Sequence, residues 1–190
     1  MVYAIIIHQV RPENSAILYH RHFAQEPMDN SSSRDNIIDI QKDQLKHVAN
    51  AVQSEYVFRK AASGRSAESD FIKLNNEEVL PEFELGFIRL ASNRPFLSEK
   101  VCFWLAAANC CFSLVLEKYE NRAAAENVLK MIIKHLQESM KLLNNPMDAL
   151  LKLDRIEIIV DKYLPGGQLL CMNNRVVRQF EKELDTIFKH

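Results

Sequence analysis

The amino-acid sequence predicts an α+β domain in which one antiparallel β-sheet carries helices on one face. Two observations support the sheet, and a third supports the helices. Residues Val2–Val10 are rich in β-branched side chains, and Lys100–Glu117 contains two apolar runs, as is typical of buried strands. After Asn121, apolar residues recur at three- and four-residue spacing, which is typical of amphipathic helices.

The first third of the chain is predicted to form a β-hairpin followed by one helix. The turn residues of "RPENS" separate strand Val2–Val10 from a second strand, Ala16–Phe23. A polar segment near residues 25–36 is predicted to be a loop. A helix is expected over Ile40–Ala61, because apolar residues recur there at helical spacing: Leu45, Val48, Ala49, Val52 and Tyr56.

The middle of the chain is predicted to supply three more strands. A second polar loop, near residues 63–80, leads to a third strand, Phe83–Ala91. Strands four and five, Lys100–Ala106 and Cys110–Glu117, are apolar on both faces, which is typical of central strands. We therefore expect helices to cover one side of these strands, and a partner or another cover to lie on the other side.

Three helices are predicted to complete the chain, and the middle one has the clearest end signals. It is expected over Met147–Leu164, with Asn145 as its N-cap, and to be largely buried because nine apolar residues cover more than one side. Pro165 blocks its continuation, and Gly166 can take the left-handed conformation that closes a helix.

The other two helices flank that segment. The earlier one is predicted over residues 121–143 and has a broad apolar stripe. The later one is predicted over Asn174–Phe188, after a short extended piece at Gln168–Met172. The element order is therefore ββα-βββ-ααα in a single domain, residues 1–190, with polar loop insertions near 25–36 and 63–80.

Composition excludes several functional classes. Lysine and arginine total 24 and aspartate and glutamate total 25, so the net charge of −1 gives no general attraction to nucleic acid or anionic lipid. The longest apolar run, Val101–Leu116, is shorter than a membrane-spanning helix needs. The four cysteines form no CxxC pair, which favours a reducing, cytoplasmic compartment.

Candidate metal and phosphate sites are sparse. The chain has only four glycines and no glycine-rich phosphate loop. His20 and His22 share one face of a strand and could hold a metal, but two ligands make half a site, and an edge-strand pair is the simpler interpretation. Cys110 and Cys111 should point to opposite faces of their strand, as core residues do.

Two further constellations could support acid–base chemistry, but both have simpler interpretations. His135 and Glu138 lie one helical turn apart, as a solvated pair would. A carboxylate series on the middle C-terminal helix is flanked by basic residues, which favours a salt-linked solvent edge: Asp154, Glu157 and Asp161, beside Arg155 and Lys162. We therefore predict no catalytic site, no cofactor and no metal.

Three sequence stretches carry a resemblance to a known family. "MVYAIIIHQVR" begins the first strand at the initiator Met, "DKYLPGG" ends a long helix at Asp161–Gly167, and "QLLCMNNRVVRQFEKEL" supplies the final helix. This combination resembles the sigma, or small, subunits of clathrin-adaptor-type complexes. More narrowly, the combination of "MVYAIIIHQVR", "DRIEIIVDKYLPGGQLL" and "FEKEL" resembles the sigma subunits of adaptor protein complex 5.

The resemblance implies a longin-like (SNARE-like) fold and a non-enzymatic, structural role. It implies a heterotetramer with large zeta and beta subunits and a medium mu subunit, with spatacsin and spastizin as associated proteins. It also implies vesicle-mediated protein transport from late endosomes and lysosomes toward the Golgi. Membrane association would be peripheral and only through the complex, on the cytoplasmic side, and no nucleic acid would be bound.

In some related complexes the sigma subunit helps to bind acidic dileucine signals. The resemblance places a possible cargo-signal groove at Ala107, Ala108, Leu143, Asn144 and Met147. Those related subunits carry paired arginines and a tyrosine in the fourth strand, where this chain has Trp104-Leu105-Ala106-Ala107.

The sequence is also compatible with two other classes of function. The chain could be a longin module of another trafficking assembly, such as a GTPase-exchange complex, whereas a SNARE would need a heptad segment and an anchor that the sequence up to His190 does not contain. An enzyme would need a polar pocket with shifted pKa values.

Overall fold

The computed structural model describes residues 1–10, 15–26, 34–64, 67–77, 79–92, 95–170 and 173–188. Three predictions fall partly outside this range. They are the turn at residues 11–14, parts of the two polar loops (27–33, 65–66 and 78) and the end of the extended piece at Cys171–Met172.

Five strands form one antiparallel sheet in the order β2-β1-β5-β4-β3. Their bounds are β1 Val2–Gln9, β2 Ile17–His22, β3 Glu84–Leu90, β4 Lys100–Ala107 and β5 Cys110–Glu117. All five strands were predicted within one residue of these ends. The β-branched and apolar runs therefore located the sheet correctly.

The helices follow the predicted order, with differences in their bounds. The α-helices are α1 Arg34–Ser63, α2 Ala67–Ile72, α3 Arg122–Met140, α4 Leu153–Tyr163 and α5 Asn174–Phe188. Shorter helical turns lie at Lys73–Glu77 (a π-helix), Pro146–Leu150 (3-10) and Pro165–Gly167 (3-10). The ββα-βββ-ααα order of a longin-like domain is confirmed. The α+β class is confirmed as well.

Helices cover both faces of the sheet, so the prediction of helices on one face is wrong. On one face α1 packs through Val48, Val52 and Tyr56 against a cluster that includes Trp104. On the opposite face Phe103 belongs to a cluster formed with α3 and α4. Trp104 and Phe103 are both fully buried, although they point in opposite directions. Strands β4 and β5 are thus buried within this chain, and the expectation that a partner covers them is also wrong.

The loop predicted near residues 63–80 contains α2 and the π-helix in its described part. Leu74 is only 4% exposed, and Phe71 packs partly buried against the same core. Burial of a leucine contributes about 1.5–3 kcal/mol, enough to hold a short segment against the core. The polar composition of this stretch obscured its two apolar anchors.

The single buried helix predicted over Met147–Leu164 is wrong, because the chain breaks at Leu151–Lys152. The backbone N–H groups of both residues donate to the Asp148 carbonyl, which closes the 3-10 turn before α4 begins. Asn145 makes no side-chain cap, since its Nδ2 donates instead to the Asp148 carboxylate at 2.6 Å. Only part of the apolar set is therefore buried.

The end of α4 is formed as predicted. Gly166 has φ +57° and follows Pro165, so the helix stops there. Gly167, at φ +77°, lies so close to Phe23 that an added Cβ would stand 2.5 Å from the Phe23 Cβ. This contact fixes the end of α4 against the first hairpin.

Candidate functional site

The possible cargo-signal groove is built from two separate connections. Ala107 is the last residue of β4, and Ala108 and Asn109 form the two-residue turn to β5, with φ +49° and +63°. Positive φ at both positions matches a type I′ hairpin turn. It costs an alanine about 1–2 kcal/mol. Leu143, Asn144 and Met147 lie in the connection after α3.

The structure brings the two connections together through a third segment. Leu74, in the π-helix, belongs to the same buried apolar cluster as Ala108 and Leu143. The Ala108 backbone N–H donates to the Asp70 carboxylate at 3.2 Å, and Asn144 Nδ2 donates to Asn75 Oδ1 at 2.7 Å. The sequence does not single out Asp70, Leu74 and Asn75, because they lie in a stretch with loop-like composition.

The connection after α3 is held by one glutamine. Gln137 Nε2 donates to Asn144 Oδ1 at 2.6 Å, and the Leu143 N–H donates to Gln137 Oε1 at 2.9 Å. Lys141 caps α3 in the left-handed conformation, with φ +53°. Because Gln137 bonds both Leu143 and Asn144, the backbone of this connection has a defined course.

The candidate residues differ sharply in exposure. Ala107, Ala108 and Leu143 are each 2% exposed or less, whereas Met147 is 48% exposed and Asn144 is half-buried. The apolar floor of the groove (Ala107, Ala108 and Leu143) is therefore closed to solvent, and its rim (Asn144 and Met147) is accessible.

Exposed apolar side chains continue from Met147 to the start of α4. Leu151 is 82% exposed, and Leu150 and Leu153 are each close to half exposed. We call Met147, Leu150, Leu151 and Leu153 the leucine ridge. A depression of about 550 Å³ beside it is lined by Leu153, by Lys42 and Lys46 of α1, and by the edge strand β2. Contiguous exposed apolar groups of this kind are typical of interaction surfaces.

The predicted salt-linked edge of α4 exists, but with a different cation. Arg21 of β2 bonds both Glu157 (2.8 Å) and Asp161 (2.7 Å). Of the two basic residues predicted there, Arg155 donates to the Ser139 carbonyl and Lys162 pairs with Glu183 of α5. Arg21 could not be found from spacing within the helix, because it comes from a strand far away in sequence.

The metal candidates make ring contacts on β2 and core contacts in β5. His20 and His22 lie on the edge strand with ring centroids 6.0 Å apart, and His22 packs edge-on against Tyr3. Cys110 and Cys111 face opposite clusters, as predicted. In the described part of the chain, no group of three histidine, cysteine, aspartate or glutamate residues could hold a metal ion.

Burial shifts the pKa values of titratable groups in the core so that these groups are neutral and unreactive. Burial lowers the pKa of His8 to about 4, and its Nε2 lies 3.3 Å from Ser113 Oγ. Burial also raises the pKa of the Cys102 and Cys110 thiols to about 12. These groups are neutral near pH 7, and such thiols are poor nucleophiles.

His135 is buried, so the prediction of a solvated pair with Glu138 is wrong for this histidine. Its ring stacks on Tyr163 with centroids 5.3 Å apart, while Nδ1 lies 3.2 Å from Glu138 Oε2. Burial lowers the pKa of His135, with Glu138 opposing that shift. The aromatic stack joins α3 to α4.

Comparisons with known proteins agree on one family. The family model described as AP-5 complex subunit sigma-1 matches residues 1–185. The AP-5 complex subunit sigma-1 of Homo sapiens is 34% identical over 195 residues, covering 96% of each chain. The protein of the same name from Mus musculus is 30% identical over 155 residues, covering 75% of this chain and 90% of the mouse protein.

One chain of a larger assembly is also similar. It comes from a homology model of the full-length AP-3 complex in a stretched open conformation. The TM-score is 0.46 at 12% identity, covering 98% of this chain and 97% of that chain.

The family model and the two curated relatives first define the class of protein, which is the sigma, or small, subunit of an adaptor complex. Within that class, the chain belongs to the AP-5 complex subunit sigma-1 family. The resemblance found in the sequence is thereby confirmed. Of the helices in the described ranges, none has the length and apolar character needed to span a membrane.

Proposed function

We propose that this protein is the small structural subunit of a heterotetrameric adaptor complex in vesicle-mediated protein transport. The observation that carries the proposal is the family match, which extends over residues 1–185. The role is structural rather than enzymatic. The neutral, buried state of His8 and of the core thiols favours this role, because none of them is prepared for catalysis.

The proposed partners are the large zeta and beta subunits and the medium mu subunit, with spatacsin and spastizin associated with the complex. The leucine ridge supports a large protein partner, since four exposed apolar side chains in seven residues favour burial in an interface. The complex is proposed to act at late endosomes and lysosomes, in retrieval toward the Golgi. This subunit would be cytoplasmic and would reach the membrane only through its partners.

The cargo-signal groove at Ala107, Ala108, Leu143, Asn144 and Met147 is part of the proposal. The apolar character of Ala108 and Leu143 suits the leucine side chains of an acidic dileucine signal. The signal's acidic residue would find no arginine in β4, where Trp104–Ala107 are all apolar. A backbone donor such as the Ala108 N–H is the charge-compatible alternative.

Purification of the tagged chain from cells tests the assembly directly. Quantitative mass spectrometry should recover one large subunit of each kind and one medium subunit at equal stoichiometry with the tagged chain. A GTPase-exchange assembly in their place would establish the alternative longin function. A solitary, monodisperse chain in cells would contradict both.

A further inference from the structure

The segment of residues 67–77, which contains α2 and the π-helix, lies against the candidate groove. We call it the cap. We infer that the cap occupies the groove as an internal pseudo-ligand, so that a peptide binds only after the cap is displaced. This inference rests on the proposed cargo-signal groove.

Two hydrogen bonds attach the cap to both sides of the groove. The Asp70 carboxylate accepts from the Ala108 N–H at 3.2 Å, and the Asn75 carboxamide accepts from Asn144 Nδ2 at 2.7 Å. Ala108 and Asn144 belong to different connections of the fold, 36 residues apart in the sequence. The cap therefore bridges the groove rather than lying beside it.

Apolar packing accompanies the two hydrogen bonds. Leu74 is 4% exposed and shares its cluster with Ala108, Leu142 and Leu143. Phe71 packs partly buried against the same cluster. The neighbouring Ile72 remains 58% exposed, so the cap turns only one side toward the core.

The π-helix gives the cap an unusual geometry. Such turns are rare and are frequently found at functional sites. Here Lys73–Glu77 carries both Leu74 and Asn75, which are the inward apolar residue and the residue bonded to Asn144. The wider turn thus presents two adjacent side chains to two different parts of the groove.

The chemistry of the cap matches that of the peptide class proposed for the groove. Asp70 offers a carboxylate to a backbone N–H, and Leu74 offers a leucine side chain to an apolar floor. These are the two kinds of group that an acidic dileucine signal presents. A peptide would therefore compete with the cap for the same donor and the same apolar contact.

Competition of this kind has a defined thermodynamic consequence. The apparent Kd equals the intrinsic Kd divided by the fraction of molecules in which the cap is open. Removal of both cap hydrogen bonds should raise that fraction and tighten binding. Two bonds of ordinary strength correspond to a change of about tenfold.

The experiment compares the full chain with the double variant Asp70→Ala/Asn75→Ala. The probe is a fluorescein-labelled acidic dileucine peptide, and the same peptide with both leucines replaced by alanine is its control. Anisotropy should show about tenfold tighter binding by the double variant. Glu68→Ala is the matched control, because it removes an exposed carboxylate from the same cap, and it should bind as the wild type does.

Hydrogen exchange separates failure of the cap from failure of the groove. If wild type and double variant bind the peptide with equal affinity, the groove binds peptide but the cap does not block it, and the inference is wrong. If the cap amides of the double variant exchange rapidly and the variant still binds no peptide, the proposed groove is wrong, and the inference about the cap is wrong as well. If the double variant does not fold, saturating peptide should still speed exchange of the wild-type cap amides, and unchanged exchange overturns the inference.

Discussion

Strand β4 and the segment Met147–Leu153 are both rich in apolar residues, but the chain buries only one of them. All eight residues of β4 are buried, because α1 covers one face of the sheet and α3 and α4 cover the other. In Met147–Leu153 four large apolar side chains remain substantially exposed. Apolar composition alone does not distinguish a core from an interface. What decides is whether the same chain supplies a second surface to pack against the apolar one.

The largest expected effect comes from the buried region. Phe103→Ala should lower the free energy of unfolding by about 3–5 kcal/mol, because a fully buried phenylalanine leaves a cavity when truncated. Leu151→Ala is the matched control on the leucine ridge and should change the free energy of unfolding by less than about 0.5 kcal/mol. Urea denaturation followed by Trp104 fluorescence measures both variants. A similar loss of unfolding free energy in the two variants would contradict the distinction between a buried core and an exposed ridge.

A smaller effect is expected from the ridge, and in binding rather than in stability. Leu150→Ser/Leu151→Ser should weaken assembly with a large partner subunit by about thirtyfold, since exposed apolar anchors often dominate interface energy. Val57→Ser/Phe58→Ser removes two exposed apolar residues from α1 and serves as the control. Co-purification yield at fixed expression measures both. Stronger loss in the α1 variant would move the interface to the opposite face of the sheet.

The pH dependence of stability tests the burial of His8 in β1. Burial lowers the pKa of His8 to about 4 in the folded state, whereas the unfolded chain has the ordinary value near 6.5. Between these values the unfolded state binds more protons, so stability falls as the pH falls through this window. From pH 7 to pH 5 we expect a loss of about 1–2 kcal/mol from His8.

His8→Gln provides the control for that pH dependence. Its stability should vary less between pH 7 and pH 5 than that of the wild type, as followed by thermal unfolding. His22, whose pKa burial also lowers to about 4, will contribute to the slope that remains. Identical pH profiles for wild type and His8→Gln would contradict the assignment to His8.

The smallest expected effect is at the hairpin tip. Ala108→Gly should stabilise the fold by up to about 1 kcal/mol, because glycine takes positive φ without steric cost. Calorimetric unfolding measures the shift. Cys110→Gly should destabilise the fold instead, since Cys110 is the first residue of β5 and its side chain is fully buried. A destabilised Ala108→Gly would show that the turn is not strained at this alanine.

The sheet could be predicted from the sequence, and the layer on its second face could not. Period-two and continuous apolar patterns mark strands such as Val2–Gln9 wherever a sheet buries them. The same patterns do not reveal what buries them, so α1 was correctly predicted as a helix but not as a cover for Trp104. The break at Leu151–Lys152 was missed because apolar residues fit a continuous helix equally well, whether or not a surface exists to receive them.

The candidate site was predicted only in part. The resemblance supplied Ala108 and Asn144, but the residues that bridge them lie in a segment with the composition of a loop. Asp70 and Asn75 make long-range hydrogen bonds, and no local pattern encodes a partner that is many residues away. Arg21 was missed for the same reason, since its carboxylate partners are on α4.

The sheet order has a consequence for biosynthesis. Strand β1 lies between β2 and β5, yet it is synthesised roughly 100 residues before β5. At ordinary elongation rates of about 5–20 residues per second, the β1 edge that pairs with β5 stays unpaired for about 5–20 s during synthesis. During that interval β2 and α1, which are synthesised before β5, can already cover the other edge and one face of β1.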